Sequence, residues 1–177
     1  MTTTTESKTR SNTDAGPRPT KRENAEHGFR ASKTLSRDLQ SVLVDLIELH
    51  LQGKQAHWNV VGKNFRDLHL QLDEVVDAAR EFSDAVAERL RALHATADGR
   101  TAMVSATTTL EPYPAGETDT ATVIDLITAR LDATVATARR VHDAVDAEDP
   151  TSADLLHAII ARLEQLSWMV SAENRIP

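Results

Sequence analysis

The sequence predicts an all-α fold: four long helices arranged as two hairpins, with one long crossover between the second and third helices. Three observations lead there. Apolar residues recur at helical spacing in four segments. Only a few residues separate the first segment from the second and the third from the fourth, which forces antiparallel returns. Roughly 20 residues separate the second from the third, too many for a simple turn. The composition agrees: it is 40% hydrophobic but only 3% aromatic, which suits packed helices better than a sandwich.

The elements follow in order. Residues 1–33 are rich in Thr, Ser, Asn, Gly and Pro and read as a disordered, mildly basic arm, leaving 34–177 as the bundle. Leu35, Leu39, Val42, Leu43, Leu46 and Ile47 begin the first helix, which runs to about Val60. Gly62 is expected as its C-cap and Asn64 as the N-cap of a second helix from about Phe65 to Leu93. The crossover, from Asp98-Gly99 to about Thr118, holds Pro112 and Pro114 and a short helix near Ala102–Ser105. The third helix carries Val123, Ile124, Ile127, Leu131, Val135, Ala138, Val141 and Val145 on one side. It stops at Asp149-Pro150, where Asp149 is expected as a cap and Pro150 as the first residue of the fourth helix. That helix has the stripe Leu155, Ile159, Leu163, Leu166 and Val170. Two hairpins and one crossover describe a ferritin-like four-helix bundle.

Composition removes several function classes. The absence of cysteine excludes disulfides, thiol catalysis and Cys-based zinc sites. No secretory signal and no run of 18 apolar residues is present, so a cytoplasmic protein is expected. Residues 1–33 hold seven bases against four acids, +3, which leaves −10 for the rest of a chain whose net charge is −7. An acidic body attracts cations and repels nucleic acid, so any DNA contact falls to the arm.

The second helix carries the chemistry. With His69 at 0° and 100° per residue, the core stripe Leu68, Leu72, Val75, Ala79, Val86, Leu90 and Leu93 lies around −60° to −120°. His69, Asp73, Asp84 and Glu88 fall at about 0°, 40°, 60° and 100°, a separate ridge beside the core. Each i,i+4 pair presents two ligands to one point, but the pairs stand about 16 Å apart along the axis. Metal–ligand bonds are about 2 Å, so one helix cannot bring all four to one ion. A twofold-related second copy lays the Asp84/Glu88 end against the His69/Asp73 end, with His57 joining from the first helix. Imidazoles and carboxylates without sulfur suit iron, manganese or zinc. None of the seven histidines follows a Glu by three residues, so the Glu-x-x-His site within one bundle is not expected. Taken singly, each acid is an ordinary solvated flank; the joint arrangement is what points to metal.

The run Lys54-Gln55-Ala56-His57-Trp58-Asn59-Val60-Val61-Gly62, then Asn64-Phe65 and Leu68-His69, resembles the Dps family. Leu72-Asp73-Glu74, Asp84-Ala85-Val86-Ala87-Glu88-Arg89, Tyr113-Pro114, Thr151-Ser152-Ala153-Asp154 and Trp168 extend the likeness over about residues 35–175. The resemblance implies a hollow homododecamer built from twofold dimers. Its ferroxidase centres would take two iron ions each, between His57, His69 and Asp73 of one subunit and Asp84 and Glu88 of its partner. Fe(II) would be oxidised there, with hydrogen peroxide in preference to oxygen, and stored as Fe(III) mineral, protecting DNA. Trp58 would lie beside the centre and intercept stray oxidising equivalents, or simply pack. Acids near the last turn, Asp146, Glu148, Asp149 and Asp154, would line iron-entry pores, with Asp149 and Asp154 as the candidates.

Two other readings stay open. One is a nucleoid-structuring protein that binds DNA phosphate without sequence preference through Lys8, Arg10, Arg18, Lys21 and Arg22, twelve arms acting together. In that case the metal site is structural. The other is a helical bundle holding metal at an interface without turnover. Of the remaining histidines, His27 falls in the arm and His94 near a helix C-terminus, and His50, His142 and His157 show no evident partner.

Overall fold

The computed structural model describes residues 28–175. Helix α1 (Lys33–Asn59) returns as α2 (Phe65–Ala92), and α4 (Thr120–Glu148) returns as α5 (Pro150–Ser171). The crossover between the hairpins contains the short α3 (Thr101–Thr107), and a 3-10 turn (Ala172–Asn174) follows α5. Two short two-residue strands, β1 (Val60–Val61) after α1 and β2 (Thr118–Asp119) before α4, pair in parallel. The expected all-α ferritin-like bundle is the observed one.

The predicted stripes are the core. Every residue named for the third helix is buried, as are all seven of the second. Ile47 and Leu155 pack against the core from its edge. At Gly53 of α1, an added Cβ would meet Val76 Cγ2 of α2 at 2.9 Å.

The helix ends follow tertiary demands more than local ones. Ser32 caps α1 by accepting from Leu35 N at 3.1 Å. Its own N–H and hydroxyl donate to the Glu148 carboxylate at 2.8 and 2.7 Å. Ala31 N donates to Leu93 O, so residues 31–33, read from sequence as the end of the arm, are held on the bundle. Gly62 is not the C-cap of α1. The chain leaves the helix at Val60 to pair with the end of the crossover, and Gly62 (φ 117°) then turns it. Asn64 occupies the N-cap position of α2 but sits in the left-handed region (φ 58°) and makes no capping bond. Its side chain donates to Glu173 instead. Asp149 separates α4 from α5, with Pro150 at the first helical position as expected. Asp149 stands at the N-cap of α5 as expected, although its carboxylate makes no capping hydrogen bond.

Buried polar groups of α1 pin the crossover. Asp45, fully buried, accepts from Thr108 Oγ1, Thr109 N and Thr109 Oγ1 at 2.9, 2.8 and 2.7 Å. Gln52, on the same face, donates to Glu111 O at 3.0 Å and accepts from Arg130 Nε at 3.0 Å. Arg130 also donates to Pro112 O. A long loop inside a compact domain needs such partners for its backbone.

Candidate metal centre

His57 lies in the last turn of α1 and His69 in the second turn of α2, so the short reversal between them brings the rings together. They stack with centroids 3.7 Å apart and planes 24° from parallel. His57 Nδ1 donates to His69 O and His69 Nδ1 donates to His57 O, both at 3.0 Å. A carbonyl oxygen can only accept, so both Nδ1 atoms carry the proton. A neutral imidazole held in this way carries its lone pair on Nε2, the form in which a histidine ligates metal. The reciprocal bonds tie the two helices and set both tautomers at once.

Asp73, one turn beyond His69, stands 3.3 Å from His57 Nδ1. It also pairs with Lys54 Nζ at 3.0 Å, a contact sequence reasoning missed. The Lys54 hydrogen bond, opposed by burial and helped by the charges of His57, Lys54 and His69, holds the Asp73 carboxyl below its ordinary range. Lys54 and His57 are three residues apart on one helical face, which is the signal that could have located the ammonium. Phe65 closes one side, its ring 5.2 Å from that of His69. Trp58, Phe65 and Val61 are exposed around this end of the hairpin, Trp58 at 69%. Trp58 therefore does not pack in its own chain's core.

Asp84 and Glu88 are exposed, eleven and fifteen residues beyond Asp73. Asp84 borders an open cavity of about 700 Å³ lined also by His50, Arg80 and Ala87. Burial, then the charges of Arg80 and Lys54, push the His50 imidazole below its usual range. The chain brings His57, His69 and Asp73 together but leaves Asp84 and Glu88 apart from them. Among the described residues, no group of three or more His, Cys, Asp or Glu is arranged to hold a metal ion.

The other expected residues divide. Asp149 is buried and accepts from Arg89 Nη2 at 2.7 Å and from the buried Ser152 hydroxyl. Asp154 is exposed, with its carboxylate 3.8 Å from His157 Nδ1. His142 and His157, without an evident partner in the sequence, partner each other across α4 and α5. Lys8, Arg10, Arg18, Lys21 and Arg22 lie outside the described residues.

Comparison with known proteins now decides the family. The ferritin-like domain model matches residues 37–175. The chain is 34% identical over 146 residues to the DNA protection during starvation protein of Agrobacterium fabrum, covering 80% of this chain and 88% of that one. The chain belongs to the Dps family. A second Dps relative, DNA protection during starvation protein 2 of Deinococcus radiodurans, is 37% identical over 137 residues. That match takes in 76% of this chain but only 56% of the relative's length. The structure of Dps from Microbacterium arborescens in the high iron form aligns with a TM-score of 0.76 at 31% identity, covering 82% of this chain and 98% of the other. No helix among the described residues is long and apolar enough to cross a membrane.

Proposed function

We propose that this Dps-family chain oxidises Fe(II) at di-iron sites shared between twofold-related subunits, and stores the Fe(III) inside a hollow dodecamer. The observation that carries the reading is the division of the ligand ridge. One end offers two imidazoles with Nε2 freed and a carboxylate beside them, and the other end, about 16 Å away, offers two exposed carboxylates with no ion-pair partner among the described residues. An isologous dimer joins unlike ends twice, making two equal sites. The exposed Trp58 and Phe65 give that contact an apolar rim.

His57 and His69 would accept Fe(II), and the Asp73, Asp84 and Glu88 carboxylates would hold the Fe(III) product, for which oxygen ligands are suited. One hydrogen peroxide with two protons takes one electron from each of two Fe(II) ions and leaves as two waters. Two ions side by side thus consume the oxidant without releasing a one-electron radical. Trp58, next to His57 in sequence, would take up stray oxidising equivalents. Asp154, exposed near the α4–α5 turn, is the better entry-pore candidate, since the Asp149 carboxylate is engaged by Arg89 and Ser152.

The test follows from the sharing. Asp84→Asn and His57→Gln are each expected to reduce peroxide-dependent Fe(II) oxidation to the buffer rate. Co-assembly of the two variants places an intact His57 against an intact Asp84 in half the sites of a mixed dimer. Random mixing therefore restores about a quarter of wild-type activity. If the co-assembled shell stays inactive while wild type turns over, the ligands are not shared; if both variants retain full rate, the ridge is not the ferroxidase site.

The arm supports a second, subordinate function, phosphate contact with DNA through Lys8, Arg10, Arg18, Lys21 and Arg22, and with it a nucleoid location. Truncation should remove residues 2–27 and spare Ser32, which caps α1. A truncated shell that still shifts DNA at low salt would rule out the arm.

A further inference from the structure

Away from the ridge, His142 on α4 faces His157 on α5 with their Nε2 atoms 2.7 Å apart. The ring centroids are 4.4 Å apart and the planes tilt by 35°. The second nitrogen of each ring is turned to a carboxylate. His142 Nδ1 lies 3.1 Å from Asp143 Oδ1, and His157 Nδ1 lies 3.8 Å from Asp154 Oδ1. An ionised carboxylate only accepts, so Asp143 holds the proton on His142 Nδ1 and leaves His142 Nε2 as a bare lone pair. Asp154 biases His157 the same way at ion-pair distance. With both protons on Nδ1, the two imidazole lone pairs would face each other and repel unless a cation lay between them.

The surroundings suit a cation. The pair borders a surface cavity of about 320 Å³ that is lined also by Asp143, Ile160 and Glu164. Arg139, the positive group nearest in that lining, is paired to Glu164. A ring whose far nitrogen is held by a carboxylate is the usual support of a ligating histidine.

We propose that His142 and His157 form a two-histidine chelate for a late first-row divalent cation of the zinc and copper class, the ions imidazole favours. Nitrogen ligands at about 2.0–2.1 Å on a tetrahedral ion stand about 3.3 Å apart, so the rings must open by about 0.6 Å from the present 2.7 Å. His157, whose side chain is 61% exposed, has the freedom to do so. With only two protein ligands, water completes the coordination sphere, so the ion exchanges with solvent. The site shares no residue with the ridge on α2. It rests on α4 and α5 of one chain and needs no partner subunit.

The experiment adds Zn²⁺ to the metal-free full-length protein and counts bound ions by calorimetry, with anomalous diffraction at the zinc edge to locate them. Wild type should hold one more ion per chain than His142→Gln/His157→Gln, with an anomalous peak between the two Nε2 positions. Asp143→Asn should keep the site but weaken it by about 10–100-fold, because it frees the tautomer without removing a ligand. Fe(II) oxidation and the unfolding midpoint of the same variants report an intact fold. If the double variant fails to assemble, His157→Gln, at the more exposed ring, takes its place. Equal stoichiometry in wild type and variant, with no peak between the rings, would overturn the proposal. The pair would then be an ordinary N–H···N bond between neutral imidazoles.

Discussion

Lys54 occupies a position that a cation at Asp73 must contest, and removing it should tighten Fe(II) binding. Its ammonium lies 3.0 Å from Asp73 Oδ1, with side chains 26% and 43% exposed. At that exposure the pair contributes only about 0.2–1 kcal/mol, which an incoming ion must surrender. A retained ammonium about 5 Å from a divalent ion adds repulsion of at most about 1.7 kcal/mol in a water-like dielectric, reduced by salt and by the reach of the lysine stem. Taking about 1 kcal/mol as the sum, Lys54→Met should bind Fe(II) roughly fivefold more tightly, and Lys54→Arg should not. The assay is anaerobic Fe(II) calorimetry at low and high ionic strength, and the difference should shrink as salt rises. Losing Lys54 also releases the Asp73 carboxyl back toward its ordinary range, so the acid limb of binding should move to higher pH. Unchanged or weaker affinity in an intact Lys54→Met assembly would refute the reasoning, because it would mean that Asp73 does not meet the ion.

Two further outcomes test the scaffold. Asp149→Ala strands the half-buried Arg89 guanidinium and the buried Ser152 hydroxyl, which should lower stability by about 2–4 kcal/mol and the thermal midpoint by about 6–12 °C, read by circular dichroism. Burial raises the Asp149 pKa, but the Ser152 and Arg89 hydrogen bonds and the Arg89 charge together bring it below 3.8. Its contribution is therefore present above the unfolded value and lost as pH falls through the folded one, so wild type and variant should converge in acid. Gly53→Ala gains up to about 1 kcal/mol of helix propensity, yet its Cβ meets the stiff Val76 at 2.9 Å. Overpacking of about 1–3 kcal/mol should win, with Val76→Ala restoring the balance in a urea titration of the double variant.

The core stripes, the two short returns and the crossover were legible because helical periodicity is a local property: the residues that fix each stripe lie within a few turns of one another. The proposed ligand ridge rests on the same kind of local pattern, since four of its five members share one helix. What failed were the ends. Gly62 and Asn64 have the composition of a cap pair, but Val60 and Val61 are claimed by Thr118 and Asp119, and Asn64 is claimed by Glu173. Asp149 does stand at the N-cap of α5, but its carboxylate serves Ser152 and also Arg89, sixty residues earlier. At each of these ends a partner far away in sequence takes or shares a group that local reading gives to its neighbours.

The histidine pair shows where such contacts can still be anticipated. Once Asp149-Pro150 is accepted as the turn of an antiparallel hairpin, residues equally far from it on either side lie opposite one another. His142 and His157 are centred on that turn, so they were paired by the topology before any side chain was placed. The same rule fails for Asp45, Gln52 and Arg130, because each also has a partner on the crossover, whose path no period predicts. Contacts within a hairpin are therefore readable by counting from its turn, whereas contacts to an irregular segment require the fold itself. The ferroxidase reading belongs to the first kind up to Asp73. Beyond it, at Asp84 and Glu88, counting along one chain leads to solvent, and the proposed function assigns the other half of the site to a second copy of the ridge.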